Sequence, residues 1–403
     1  MSDLPIQLPG LATVTLANGM VVRAVQRRHF PLIELRMALP AWYADLAAGT
    51  LVAATQFDDV ERSGFHASAE CASDAFTVRA QGLAVDLEPG LTAIAQALST
   101  PSLDADLIRR ARFRLAHQAE STGSAPTLLA WRELLATMYG DHPLAVLSPG
   151  AEELRKVTLQ DVERFRQERM QAAGAVLTLS GGVPLELMID AAAGAFSELP
   201  CHPHGRTPPP AEPAEQGIIR RLAVPGATQT SVTIGFPAVI RRDPRFPAAE
   251  IANLVIGGYF SSRLTRRLRQ ERGYAYWVRS SLTCDPGGPA LAIATNVRDD
   301  VGRSALQVIR DDLSDLAAAG PPAEEVDHAR RHLLGSTRLE LATQSGATDL
   351  VFALARSGLT PKWLRDHCAH LDKVTPDDIR DFAAAFLRPA QATTVVASRE
   401  QNV

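Results

Sequence analysis

The sequence is poor in lysine, in cysteine and in long apolar runs. Only three of its 41 basic residues are lysines, and its four cysteines form no CxxC pair. Scattered cysteines predict neither a disulfide framework nor a cysteine zinc site. The sequence also lacks a run of about 18 apolar residues that could span a bilayer, and it begins without a basic and apolar signal segment. We therefore expect a soluble protein of the cytoplasm.

The charge balance excludes a protein that is covered by basic surface. Its 45 acidic residues exceed the 41 basic ones, which gives a formal charge of −4, and 46% of its residues are hydrophobic. This composition is typical of globular proteins, and at roughly 100–200 residues per domain the chain is long enough for two to four domains. We expect no nucleic-acid partner and no membrane partner.

The chain contains an internal repeat. Residues 156–162 (KVTLQDV) and 373–379 (KVTPDDI) each open a helical pattern that leads into a short β-branched strand, and the two openings lie 373 − 156 = 217 residues apart. Thr158 and Thr375 are suited to cap these helices, because an acidic residue follows each in the first turn. A spacing of about half the chain predicts a duplicated fold.

The two halves also begin in a similar way, with strands followed by a helix. The predicted elements are a hairpin turning at Asn18-Gly19, strands at 31–39, 217–224 and 230–236, and helices at about 45–57 and 245–256. Six prolines within 200–213 predict an extended linker between the halves. The sequence therefore predicts an α+β fold of two homologous domains, at 1–199 and 217–403, joined by a Pro-rich linker over 200–216. Each domain is expected to be an antiparallel-rich sheet covered by helices.

A motif in the second half resembles a peptidase family. Residues 257–264 read GGYFSSRL, and LRQERGYAY follows at 268–276. This run resembles the second-domain motif of the pitrilysin/insulinase-type zinc peptidases, the inverzincins, which include the mitochondrial processing peptidase and the core proteins of the bc1 complex. The similarity extends over almost the whole chain. It implies two homologous domains that form half of a clamshell.

The zinc motif of that family is degenerate in this chain. The resemblance implies HxxEH on a first-domain helix, with both histidines on zinc, the glutamate as general base and a later glutamate as third ligand. By register, Thr50, Ala53 and Ala54 replace the His, Glu and His of the motif, and Glu120 lies outside the register of the third ligand. We therefore expect this chain to bind no cofactor, and zinc to be held by a partner subunit.

Two donor residues of the family are retained. The resemblance implies that Arg269 and Tyr276 bind the substrate backbone and stabilise the tetrahedral intermediate, and donors already in place suit a developing oxyanion. The alternative is a salt bridge for Arg269 and a strand position for Tyr276. The glycines of the motif allow a sharp turn and a close approach to substrate or partner. The predicted substrate-binding residues of this turn are Gly257, Gly258, Ser261 and Ser262.

Several other polar residues suggest chemistry, but simpler explanations are favoured for each. His328 and His332 have i, i+4 spacing, yet Arg331 stands where a base would be needed, so a solvated helix face is favoured over a metal site. The pairs His367/His370 and Cys201/His204 are expected to bind no metal, and His142 is expected to anchor a turn. The arginines of the motif are expected to lie mostly on a solvated or ion-paired face, and they are Arg263, Arg266, Arg267, Arg269 and Arg272.

Two functional hypotheses follow from these residues. In the first, the chain is the non-zinc-binding subunit of a heterodimeric zinc metallopeptidase, inactive alone, which closes around an unfolded peptide together with an HxxEH-bearing partner of the same family. In the second, it is a non-enzymatic assembly or peptide-binding homologue similar to the core proteins, and it could form a homodimer. A third and weaker hypothesis is a self-sufficient metallopeptidase that uses His328 and His332.

Overall fold

A computed structural model describes residues 10–28, 31–42, 45–99, 104–202, 209–211, 216–284 and 287–399. Much of the predicted linker at 200–216 lies outside the described residues. Its described residues, 200–202, 209–211 and 216, belong to no helix or strand.

The described part of the first half contains strands and helices in mixed order. The strands are β1 (Leu11–Thr15), β2 (Val21–Gln26), β3 (Leu32–Pro40), β4 (Phe65–Cys71), β5 (Ala75–Leu83) and β6 (Val176–Gly181). The helices are α1 (Leu46–Thr55), α2 (Leu87–Ser99), α3 (Ala105–Gly123), α4 (Pro126–Tyr139), α5 (Ala151–Lys156), α6 (Leu159–Arg169) and α7 (Leu185–Phe196).

The described part of the second half has a similar series. The strands are β7 (Ile219–Ala223), β8 (Gln229–Pro237), β9 (Ala275–Thr283), β10 (Ala290–Arg298) and β11 (Thr393–Ser398). The helices are α8 (Phe246–Asn253), α9 (Gly302–Ala319), α10 (Ala323–Ala342), α11 (Gln344–Arg356), α12 (Pro361–Leu371) and α13 (Pro376–Phe386). Two π-helical segments, Leu254–Gly258 and Thr265–Glu271, follow α8.

The strands form two sheets, and apart from the extra strand β1 their strands follow one another in the same order. The first sheet runs β1-β2-β6-β3-β5-β4 and the second runs β7-β11-β8-β10-β9. In each sheet one pair is parallel, β2 with β6 and β7 with β11, and every other pair is antiparallel. The predicted α+β fold with antiparallel-rich sheets is confirmed.

The repeated helix openings form the same cap in both halves. The Thr158 hydroxyl accepts from the Asp161 amide at 3.2 Å, and the Asp161 carboxylate accepts from the Thr158 amide at 2.9 Å. Thr375 and Asp378 repeat this reciprocal pair at 3.3 and 2.8 Å. Two orphan amide donors are thereby satisfied at the start of α6 and of α13. The predicted capping by both threonines is confirmed.

The chain divides into two compact units that are discontinuous in sequence. The first unit comprises 1–120, 148–207 and 336–363, and the second comprises 121–147, 208–335 and 364–403. Each unit contains one sheet. Each unit is made of three separate stretches of sequence, whereas contiguous domains were expected at 1–199 and 217–403. The boundaries of those domains stay a prediction.

Each unit takes one covering helix from the other half of the chain. In the first unit, α11 lies on β6 and β3, and the hydroxyls of Ser180 and Thr348 are 2.7 Å apart. In the second unit, α4 lies on β11 and β8, and the Met138 sulfur occupies the space that a side chain at Gly235 would need. Because β6 and β11 hold equivalent sheet positions, the two exchanged helices are equivalent as well.

No helix within the described ranges combines the length and the apolar character that crossing a membrane requires.

Candidate functional site

The GGxxSSRL motif begins where α8 continues into its first π-helical segment. Gly257 lies in that segment, and a Cβ atom added to it would sit 2.9 Å from the amide nitrogen of Ser280 on β9. The Ser280 hydroxyl also donates to the carbonyl of Asn253 at 2.7 Å. Glycine is therefore required by close approach, because a side chain would push the helix end away from the strand.

The turn after this segment is held by its own serine. The Ser262 amide donates to the Tyr259 carbonyl at 3.2 Å, and the Ser262 hydroxyl donates to the Thr265 hydroxyl at 2.9 Å. Ser262 is 1% exposed, whereas Ser261 is exposed. Ser262 thus shapes the turn from inside. Contacts of the substrate with Gly257, Gly258, Ser261 and Ser262 stay a prediction.

The second π-helical segment and β9 bring Arg269 and Tyr276 together. Between them the chain reverses at Gly273, whose φ of +63° favours glycine, and the Tyr274 amide donates to the Leu268 carbonyl at 2.8 Å. The guanidinium carbon of Arg269 then lies 5.3 Å from the ring centroid of Tyr276 and 5.0 Å from that of Phe260. Both distances are within cation–π range.

Three other arginines of this segment are ion-paired. Arg263 and Arg266 contact the Glu325 carboxylate of α10, and a terminal nitrogen of Arg267 lies 3.0 Å from an Asp312 oxygen on α9. Burial raises the pKa of the Asp312 carboxyl, although the charges of Arg267 and Arg263 oppose that rise. These pairs fasten the segment to α9 and α10. For these three residues, the prediction of an ion-paired face is confirmed.

Arg269 differs from these three in its partners. Among the described residues it has no hydrogen bond and no ion pair, and the Tyr276 hydroxyl has no hydrogen-bond partner either. Tyr276 is 79% exposed and Phe260 is 66% exposed. A cation–π contact uses the face of a guanidinium and leaves the in-plane N–H groups free to donate. The pair therefore presents uncommitted donors at the surface, suited to a carbonyl or carboxylate oxygen.

Phe260 was not singled out by the sequence. It fills one of the two variable positions in GGxxSSRL, where no chemical requirement identifies an aromatic residue in advance. Only the structure shows that Phe260 is a large exposed ring beside the guanidinium of Arg269. Exposed aromatic rings next to a cation are typical of recognition surfaces.

The positions predicted to replace the zinc motif lie on α1 in the first unit. The Thr50 hydroxyl donates to the Leu46 carbonyl of its own helix at 2.7 Å, and Ala53 and Ala54 have no side-chain ligand atom. Cys71 lies beside this helix, but burial first, and then nearby carboxylates, raise the pKa of its thiol to about 12. A neutral thiol is a poor zinc ligand. The residues present at these positions do not fit a zinc ion.

The other metal-like patterns have structural partners. Glu120 on α3 is paired with Arg155, and the His332 ring stacks on Tyr259 with centroids 5.1 Å apart. His328 is exposed on the same helix as His332. Over the part of the chain that the structure describes, no cluster of three or more His, Cys, Asp or Glu side chains is placed to hold a metal ion.

Two more histidines contribute to packing and turns. His367 is 7% exposed, and its Nε2 lies 2.5 Å from the Glu250 carboxylate, whereas His370 is exposed. His142 Nδ1 accepts from the Leu144 amide at 3.2 Å at the start of a 3₁₀ turn, so the predicted anchoring of a turn is confirmed. Cys201 is exposed, and His204 lies outside the described residues.

The motif lies within a stretch of the chain that matches a known family. The family described as "Peptidase M16 inactive domain" matches residues 156–333, a range that includes Arg269 and Tyr276. An "uncharacterized zinc protease" of Streptomyces coelicolor is 27% identical over 64% of this chain and 58% of its own length. The "non-peptidase homolog YmxG" of Helicobacter pylori is 21% identical over 78% of this chain and 73% of its own.

A solved structure shows the same fold. The crystal structure of a "peptidase M16 inactive domain" from Pseudomonas fluorescens has a TM-score of 0.88 at 23% identity, and the match covers 97% of this chain and 98% of that one. Together with the family match, this likeness confirms the predicted resemblance to the pitrilysin/insulinase-type peptidases.

Proposed function

We propose that this chain, an inactive-type member of the peptidase M16 family, is the non-zinc-binding subunit of a two-subunit zinc peptidase. Its partner would be a chain of the same family that carries an intact HxxEH motif and holds the zinc. The substrate would be an unfolded peptide, and Arg269 and Tyr276 of this chain would contact it.

The observation that carries the proposal is the pairing state of the motif arginines. Three carboxylate-bound arginines fix the segment, while Arg269, only two residues beyond Arg267, has neither hydrogen bond nor ion pair within the described ranges. Its contacts within those ranges are with the faces of two exposed rings, which leave its N–H groups without an acceptor. A substrate oxygen would supply the missing acceptor.

The chemistry of the pair suits peptide hydrolysis at a metal held by the partner. The bound metal would polarise the scissile carbonyl. Arg269 would donate in-plane N–H bonds to the peptide backbone, and its fixed positive charge would become more favourable as the carbonyl oxygen gains negative charge. The Tyr276 hydroxyl would donate a further hydrogen bond to the same region. Neither residue needs to change its protonation state.

Reconstitution with the partner tests this proposal. We expect the purified chain to be inactive alone and to support peptide hydrolysis when mixed with an HxxEH-bearing chain encoded beside it. Tyr276→Phe keeps the ring under Arg269 but removes the hydroxyl, so activity of the mixture should fall. Tyr274→Phe, two residues away under the Arg272 side chain, is the matched control and should leave activity unchanged. Full activity with Tyr276→Phe would remove the role proposed for this hydroxyl.

The second candidate is a non-enzymatic peptide-binding or assembly protein. The name of the Helicobacter pylori relative, a non-peptidase homolog, favours it. Both candidates predict peptide binding through Arg269, but only the first predicts hydrolysis with a partner. A homodimer that binds peptide, with no HxxEH-bearing chain in the native complex, would favour the second.

A further inference from the structure

A recess in the first unit lies between α3 and α5, among residues that the proposed function does not use. One face of α3 lines it, because positions three and four apart project from the same side of a helix. Arg155 of α5 lies on the opposite side. The recess has a volume of about 250 Å³, and its lining residues are Arg109, Arg112, Phe113, Ala116, His117, Glu120 and Arg155.

The recess carries excess positive charge. Three guanidinium groups line it and are paired with only two carboxylates, those of Glu120 and Asp106, although the whole chain has a formal charge of −4. Each arginine uses one terminal nitrogen for a partner. Arg109 contacts Asp106 at 3.0 Å, and Arg112 donates to the Val157 carbonyl at 2.8 Å. Arg155 pairs with Glu120. Within the described residues, the other N–H groups of these guanidinium groups have no partner. They remain able to bind an anion, in a bidentate way where it is planar.

The recess also presents an apolar surface. Ala116 is 2% exposed in its floor, while Phe113 is 75% exposed beside the guanidinium groups. Phenylalanine buries a large apolar area when it is covered, so this ring gains from a partner that carries apolar surface. A drug-sized ligand needs about 300–1,000 Å³. The volume here indicates a smaller molecule.

We propose that this recess binds a small carboxylate with an aromatic or apolar body. The carboxylate would accept from the arginines and the body would lie on Phe113. This chemistry is shared by a free aromatic acid and by the C-terminal residue of a peptide. The site is independent of the proposed peptidase role, because it involves neither Arg269 nor Tyr276.

Binding of defined probes to the purified full chain tests the site. Isothermal titration with N-acetylphenylalanine should give saturable binding, and the corresponding neutral amide should bind at least about tenfold more weakly, since it lacks the charge that strengthens the hydrogen bonds. An acetylated tripeptide that ends in the same residue identifies the source. If it binds more tightly than the single residue, the ligand is a peptide terminus, and otherwise it is a free acid.

Matched variants on α3 locate the binding. Arg109→Gln should weaken the acid about tenfold, whereas Arg110→Gln, the same change at the adjacent exposed position outside the recess, should have no effect. Phe113→Ala should weaken the acid several-fold but leave inorganic phosphate binding unchanged. Thermal unfolding of each variant checks that the fold is retained.

Three outcomes would overturn the proposal. They are equal affinity for acid and amide, equal losses with Arg109→Gln and Arg110→Gln, and phosphate binding as tight as that of the aromatic acid. Hydrolysis by the reconstituted pair would be unaffected by any of them, so failure of this site is distinguishable from failure of the proposed function.

Discussion

Replacement of Arg269 by lysine is the sharpest test of the donor pair. Lysine keeps the positive charge but loses the planar fork of N–H groups and the flat face that lies over aromatic rings. If Arg269 acts only as a general positive charge, this change should be harmless. If it acts as an oriented donor, most of its contribution should be lost.

The structure sets the scale of two separate effects. Loss of one oriented donor to a developing oxyanion lowers kcat by about 10²–10³-fold, which is the decrease expected for Arg269→Lys. The contacts of Arg269 with Phe260 and Tyr276, at 5.0 and 5.3 Å, are each worth about 0.5–1 kcal/mol at an exposed site. Phe260→Ala removes one of them and leaves the donors intact, so it should lower activity only about two- to fivefold.

The assay is steady-state hydrolysis of an unstructured peptide by the reconstituted pair. For Arg269→Lys the decrease should be larger in kcat than in KM, because the lost interaction strengthens in the transition state. Arg272→Lys is the matched control, since Arg272 lies three residues away over Tyr274 and the resemblance gives it no role. It should have wild-type kcat and KM.

Two results would refute the reasoning. Wild-type activity in Arg269→Lys would show that orientation does not matter. A loss with Phe260→Ala as large as that with Arg269→Lys would show that the ring itself, and not the guanidinium it contacts, is the essential group.

Two further predictions concern the first unit and the repeated caps. With its pKa raised to about 12, the Cys71 thiol should be almost entirely protonated at pH 8 and should react slowly with a disulfide reagent, at a rate that rises with pH. Exposed Cys201 should react first and give the fast phase. Cys71→Ser should leave this fast phase unchanged, and loss of the fast phase in that variant would contradict the assignment. Thr158→Ala and Thr375→Ala should each lower stability by about 1 kcal/mol in denaturant unfolding, and strongly unequal losses would show that the two caps are not energetically equivalent.

Much of the fold followed from local sequence patterns. The capping threonines and the hairpin turn at Asn18-Gly19 depend on neighbours within a few residues, and the 217-residue repeat follows from comparing two short segments, so all three can be predicted without a structure. The exchange of α4 and α11 between the units was not predicted, because an amphipathic helix shows that it must cover a sheet but not which sheet. The equivalent positions of the two helices on β11 and β6 emerge only from packing.

The candidate site, too, could be predicted only in part from the sequence. The motif identified Arg269 and Tyr276, but the sequence could not distinguish Arg269 from its ion-paired neighbours, because their carboxylates lie on α9 and α10, more than 40 residues further along the chain than the arginines they bind. The position of Phe260 beside Arg269 and the recess beside α3 could likewise not be predicted from the sequence. Each depends on residues from separate elements that meet in space.

By itself the sequence predicted that this chain lacks the zinc site of the family, since by register threonine and alanine stand at positions 50, 53 and 54 in place of His, Glu and His. That conclusion needs only the identity of the side chains. The tertiary structure decided which of the remaining groups are free to act. Charge pairing and exposure are set by distant partners, and only the folded chain brings those partners to some arginines and not to others.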